Sequence, residues 1–237
     1  MRKILITNDD GINAGGLIRL AKAAKEFGEV WVVAPEKQRS AISHAITLHK
    51  DIEAWEVSFP VEGVHAYACD GMPADCIRIG VLNIVPGGPD NVFCGINYGV
   101  NVANDIQYSA TIAAAMEAAF QKIHAIAFSE DFSDNIAVTE KYLKEIIGDL
   151  LNKPLLMNEI WNVNFPCCDL SDFKGIINDA KVSKEVYYHD HYNEKKLENG
   201  HVAYTIEGVR NYDAEDGTDL WAVLNDHISV GKVKNIG

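Results

Sequence analysis

Between residues 3 and 165, short apolar runs alternate with stretches patterned for helices, and this alternation restricts the fold more than any other feature of the chain. Residues 3–7 and 30–34 read as strands, the second stopped by Pro35. Between them, Leu17, Leu20, Ala21, Ala24 and Phe27 recur on one face of a helix over 14–27. Pro73 opens a second helix, with Cys76, Ile77, Ile79, Gly80 and Leu82 as its apolar side. The series continues with a strand over 92–96, an almost wholly apolar helix over 109–121 and a strand over 123–129. An amphipathic helix over 136–151 and a strand over 161–165 complete it. Residues 46–70 interrupt the rhythm with short alternating runs that read as strands. Strands joined through helices pair in parallel, so the order predicts an α/β fold with a mostly parallel sheet and helices on both faces.

A chain of 237 residues with 48% hydrophobic content can bury one large core, and 1–237 is read as a single domain. Past about residue 155 the alternation weakens. Segment 180–212 is polar, rich in Tyr, His, Lys, Glu and Asn, and lacks a helical period. It is expected to form a lid, an arm or an oligomerisation element. Thr218-Asp219 then provides a cap for the apolar run 220–224.

The first strand runs straight into Thr7-Asn8-Asp9-Asp10-Gly11. Adjacent carboxylates raise each other's pKa, and a cation relieves the repulsion. They stand where a strand ends and a helix begins, the edge at which open α/β sheets hold ligands. Hard divalent cations take oxygen ligands, so Asp9 and Asp10 point to such a metal and a phosphate-bearing substrate. Taken alone, the pair is equally well explained by one carboxylate capping helix 14–27 and the other facing water. Asn8 and Gly11 favour the ligand reading, since glycine lets backbone approach a ligand closely.

Asn97 and Asn101 leave the end of strand 92–96, with amide oxygens suited to a metal and amide nitrogens suited to phosphate, although Asn-Gly loops also make plain turns. Ser109 and Thr111 open the apolar helix, where free backbone N–H groups can bind phosphate or where Ser109 merely caps. Ser40, beside Arg39 in the polar loop 35–44, has a hydroxyl for metal or phosphate. His44 is a candidate general acid or a packed loop histidine. His189-Asp190-His191 invites a metal reading, set aside because its tyrosine-rich surroundings look exposed and far from the strand ends. The five cysteines are read as reduced and structural, with no zinc-like spacing.

Net charge of −13 argues against a nucleic-acid polymer as partner. No apolar run approaches the ~20 residues that span a bilayer, so no membrane is expected. Met1-Arg2-Lys3 leads into a strand and not a cleavable apolar segment, and the expected location is the cytoplasm. Phosphate-loop, dinucleotide-binding and nucleophile-elbow glycine motifs are absent, which removes support for the corresponding kinases, nicotinamide enzymes and serine hydrolases.

The segments Ile4–Gly11 (ILITNDDG), Val32–Thr47 (VVAPEKQRSAISHAIT), Asp70–Cys76 (DGMPADC), Gly95–Thr111 (GINYGVNVANDIQYSAT), Val163–Pro166 (VNFP) and Gly217–Ala222 (GTDLWA) occur in an order that resembles one family. These are the SurE survival-protein nucleotidases, divalent-metal-dependent phosphatases of nucleoside monophosphates. The resemblance implies a Rossmann-like three-layer αβα domain whose C-terminal extension, about 180–237 here, exchanges between subunits of a homodimer or homotetramer. It implies Asp9, Asp10, Ser40 and Asn97 as ligands of one Mg2+ or Mn2+ ion per subunit. Asn8, Asn101, Ser109 and Thr111 match positions lining the phosphate pocket. The implied reaction is hydrolysis of nucleoside 5′-monophosphates, with 3′-monophosphates left open. Attack would come from a metal-activated water or from Asp9 or Asp10 through a phospho-enzyme. Ala41, Ala103 and Ala110 stand where the family commonly has glycine, Met72 where it has threonine and Cys94 where it has serine. Ala110 is thereby expected to add a methyl beside the phosphate pocket. Two other readings are weighed. A haloacid-dehalogenase-type aspartyl phosphatase needs carboxylates separated by one residue, and these are adjacent. An inactive metal or nucleotide sensor would keep the ligands without turnover.

Overall fold

Every side chain of Ile4, Leu5 and Ile6 is fully buried, which requires cover on both faces of the first strand. The computed structural model, which describes residues 1–235, supplies that cover. Its elements are β1 (Lys3–Thr7), α1 (Gly15–Ala24), β2 (Glu29–Pro35), β3 (Ala54–Glu56), β4 (His65–Cys69), α2 (Pro73–Ile79), β5 (Asn91–Tyr98) and α3 (Ala110–Phe120), then β6 (His124–Glu130), α4 (Ala137–Leu150) and β7 (Glu159–Phe165). The remainder is β8 (Gly175–Ala180), β9 (Tyr188–Lys196), β10 (Val202–Arg210), α5 (Asp219–Leu224) and β11 (His227–Lys234). Because strand side chains alternate, Ile4 and Ile6 pack with Leu17 and Leu20 of α1 and Ile147 of α4. Leu5 packs on the opposite face with Ile77 of α2 and Ile112 of α3. Two helices thus cover each face, giving three layers.

The large sheet has nine strands in the order β3-β4-β2-β1-β5-β6-β7-β11-β8. The six from β4 to β7 are parallel, and β3 and the β11–β8 pair run against them. From β1 the chain winds to one side through β2 and β4, then returns to β5 and winds to the other through β6 and β7. The loops leaving β1 and β5 therefore diverge, and a crevice opens between neighbouring strand ends. That topology places the site.

The α/β expectation holds, with differences at particular elements. Residues 46–53 are loop, and Leu48 is largely exposed; the loop is tethered through Thr47 N–H to the Asp75 carboxylate (3.1 Å). Helix α2 ends at Ile79 and a π-turn, Gly80–Ile84, follows, so Leu82 faces solvent and does not belong to the apolar side. Segment 180–212 is not irregular: β9 and β10 form a separate antiparallel hairpin, with Lys196 opposite Val202 and Tyr188 opposite Arg210. Cys69, Cys76 and Cys94 are buried, and all five cysteines are free thiols. Among the described residues no helix is long and apolar enough to cross a membrane.

Candidate active site

Three loops meet in the crevice: residues 8–14 after β1, the loop after β2 that carries Ser40, and the segment after β5 that carries Asn101 and Ser109. They enclose one end of a cavity of about 630 Å3 lined by Asp9, Ser40, Asn97, Asn101 and Ser109. Asp9 is 3% exposed and its Oδ1 accepts a hydrogen bond from Thr111 Oγ1 at 2.7 Å. Burial pushes its carboxyl up to about 6, a rise that the Thr111 hydrogen bond partly offsets and the neighbouring Asp10 charge increases. Asp10 is also raised by burial, and its Oδ2 accepts from Tyr98 N–H at 3.2 Å. It lines an adjoining cavity with Arg19 and Glu130 instead of the main one. Neither carboxylate caps α1, whose N-cap is Ala14 with no side-chain bond. The capping alternative is removed.

Each remaining candidate has a defined place. Asn97 Nδ2 donates to Gly99 O at 2.7 Å, which turns its oxygen away from that bond and leaves it available as a hard donor. Ser40 Oγ is exposed and accepts from Gln38 Nε2 at 3.1 Å. Its loop is tied to the aspartate loop by Arg39 N–H donating to Asp9 O at 2.7 Å. Asn101 is buried, donating from Nδ2 to Ser129 Oγ and from its backbone N–H to Asn164 Oδ1, both at 2.7 Å. Ser109 caps α3 by accepting from Ile112 N–H at 3.1 Å. Asn8 and Thr111 are fully buried behind the cavity and do not line it. Asn8 closes the loop on itself through Gly11, whose φ of +101° is open to glycine alone at low cost. Gly11 thus serves the turn, and a Cβ there would meet Lys37 backbone at 3.3 Å. Gly95 is equally constrained: φ is +133°, and a Cβ would lie 2.2 Å from Phe128 O.

Among the described residues no group of three or more His, Cys, Asp or Glu forms a metal cluster. The candidate set is instead two carboxylates, an amide oxygen and a hydroxyl, all hard donors. Burial raises both carboxyls, and the Asp10 charge adds to the rise at Asp9, so two desolvated acidic groups stand side by side. A hard divalent ion fits that donor set and that charge.

Two histidine readings are settled by position. His44 Nε2 lies 2.9 Å from Glu117 Oε2, its ring stacks on Phe120 at 5.5 Å, and it does not reach the main cavity. Its pairing holds Glu117 below the usual carboxylate range. His189 and His191 lie on one face of β9 and Asp190 on the other, as strand alternation requires. The segment is not remote from the strand ends, contrary to expectation: Tyr188, Asp190 and Tyr192 line the cavity with Tyr187 and Ile206. These wall residues escaped the sequence reading, although the period-two spacing of Tyr188, Asp190 and Tyr192 was a signal for one strand face.

Residues 4–188 match the family described as Survival protein SurE. The chain belongs to the SurE family. A protein named 5′-nucleotidase SurE from Clostridium botulinum strain 657 is 37% identical over 231 residues, spanning 96% of this chain and 90% of that one. A protein of the same name from Thermoanaerobacter sp. strain X514 is 38% identical over 234 residues, with the same coverage. The crystal structure of the SurE protein from Aquifex aeolicus matches with a TM-score of 0.84 at 32% identity, covering 98% of this chain and 93% of that one. Two departures from the SurE pattern have visible backbone consequences: Ala41 and Ala103 hold φ of +56° and +53°, the left-handed region that glycine occupies freely. Ala110 is 1% exposed and does not itself line the cavity, although the preceding Ser109 does.

Proposed function

We propose that this chain is a divalent-metal-dependent phosphomonoesterase, a 5′-nucleotidase that hydrolyses nucleoside 5′-monophosphates to nucleoside and phosphate. The observation that carries the reading is Asp9: a carboxylate buried beside a second one, with its pKa raised by that burial, lining a cavity large enough for a nucleotide. The named SurE relatives support the substrate class.

Asp9, Asp10, Ser40 and Asn97 would hold one Mg2+ or Mn2+ ion. When bound, such an ion polarises a phosphate oxygen and lowers the pKa of a coordinated water. Thr111 fixes the Asp9 carboxylate through a hydrogen bond to Oδ1. Tyr98 N–H donating to Asp10 Oδ2 and Arg39 N–H donating to Asp9 O tie the other two loops to the aspartate loop. Ser109 and Asn101 line the same end, where the start of α3 presents backbone donors to phosphate oxygens. Asn8 and Thr111 act by shaping the loop and Asp9.

We further propose a cytoplasmic homodimer or homotetramer formed through residues 180–237. The exposed Val202, Tyr204 and Val209 on β10 support an additional contact there. The test of function is phosphate release from a panel of nucleoside 5′- and 3′-monophosphates and phosphorylated sugars with Mn2+, with Mg2+ and with EDTA. Metal-dependent release favouring 5′-nucleotides is expected. Equal release in EDTA, or none from any nucleotide, would refute the reading.

A further inference from the structure

One face of β7 changes character along its length. Trp161, Val163 and Phe165 point to the apolar core shared with α1 and α4. On the opposite face Ile160 belongs to the core formed with α3, but the next two positions are Asn162 and Asn164, 3% and 0% exposed. Register sets buried Ser129 of β6 and buried Ser229 of β11 beside Asn164, so a polar row crosses three strands in the middle of the sheet. Buried amides and hydroxyls destabilise a fold unless they are hydrogen-bonded. Within this row Asn162 Oδ1 and Ser229 Oγ have no partner among the described residues. The bonds that the row does make converge on one residue outside the sheet, Asn101 in the loop after β5. Asn164 Oδ1 accepts from Asn101 N–H at 2.7 Å, and Ser129 Oγ accepts from Asn101 Nδ2 at 2.7 Å. Asn162 Nδ2 and Asn164 Nδ2 both donate to Asn101 O, at 2.9 and 3.2 Å.

Those four bonds engage both backbone groups of Asn101 and one hydrogen of its amide. Asn101 lines the cavity beside Ser109, whereas Ser129, Asn162 and Asn164 do not reach it and act only through Asn101. An amide NH2 group is planar, so holding one hydrogen on Ser129 sets the direction of the other. We propose that Asn164 and Ser129, with Asn162, are positioning residues that preset the Asn101 amide as a hydrogen-bond donor to the substrate phosphate. The proposal rests on the phosphomonoesterase reading and adds to it what aims one of its donors. A donor that is already aimed needs no reorganisation as charge develops on the phosphoryl oxygens, and a small misplacement costs much of its effect. This gives the two asparagines around Val163 a task that packing of the sheet does not supply.

The experiment is a double-mutant cycle in the full chain with Mn2+, read by kcat/KM for AMP and by the affinity for inorganic phosphate from calorimetry. Asn101→Ala should lower kcat/KM by about a hundredfold. Ser129→Ala, which removes one acceptor and leaves both backbone anchors, should lower it by about tenfold. Combined with Asn101→Ala, Ser129→Ala should cause no further loss in either measurement, because its effect passes through Asn101. Asn164→Ala should be masked in the same way, and where it fails to fold Ser129→Ala carries the test. Ser229→Ala deletes a hydroxyl from the same row that makes no bond to Asn101, and should change neither measurement. Additive losses in the double variant would assign the row to the fold alone and overturn the proposal. So would an unaltered Ser129→Ala, or a loss in Ser229→Ala as large as its own. If wild type binds phosphate but hydrolyses no phosphate ester, the phosphomonoesterase reading fails and the phosphate cycle still decides the positioning. Neither hydrolysis nor phosphate binding would remove both.

Discussion

Asp9 shows how much of the site lies in single side chains. Its carboxyl titrates at about 6 in the metal-free protein, above the ordinary 3.8. The folded chain therefore holds this proton more tightly than the unfolded chain, and stability falls as pH rises from about 4 to about 6. The loss is on the order of 2–3 kcal/mol above that window. Asp9→Asn keeps an acceptor for Thr111 and removes the buried charge. In EDTA at pH 7.5 it should raise Tm by roughly 5 °C while abolishing hydrolysis, and the two proteins should converge near pH 4. A less stable variant at pH 7.5, or an equal difference at both pH values, would contradict this. Ala41 is exposed with φ of +56°, so Ala41→Gly should stabilise by up to about 1 kcal/mol in urea unfolding, whereas a loss would show the left-handed turn costs nothing here. The aspartate pair was legible in the sequence because adjacent carboxylates at a strand end are costly. Thr111 as Asp9's support was not, because nothing local links positions that far apart; only the packing of α3 against β1 and β5 joins them.

At the scale of elements, alternation found what the core enforces. Strands β1, β2, β5, β6 and β7 and helices α1 to α4 bury apolar faces, and burial writes period into sequence. The hairpin was illegible for the opposite reason: nearly all of β9 and most of β10 are exposed, so its alternation is between polar and aromatic residues and not between inside and outside. What attaches it is specific. Arg210 Nη2 donates to Asp131 Oδ1 at 3.0 Å beside the ring of buried Tyr187, and Asn211 N–H donates to Tyr187 O at 2.8 Å. A partly buried ion pair of this kind is worth up to about 1 kcal/mol. Arg210→Ala should speed amide hydrogen exchange across 188–210 by up to about fivefold without altering β1 or β5, measured by mass spectrometry. Uniform acceleration across the sheet would mean the anchor serves the whole fold.

Over the whole molecule, the strand order decides where chemistry can occur. Reversal of winding between β1 and β5 puts the aspartate loop, the Asn97 loop and the start of α3 around one crevice, with the β2 loop bringing Ser40. The strand and helix types needed for this were readable; their lateral order was not, since periodicity carries no information about which strands are neighbours. Asp10, lining the adjoining cavity, is the member of the set whose place the sequence could not assign. The central claim is that these loops make one divalent-metal site. Calorimetric titration of Mn2+ into the metal-free protein tests it most directly. One ion per chain should bind the wild type, and Asp9→Ala should lose that binding; an unchanged isotherm in Asp9→Ala would contradict the claim.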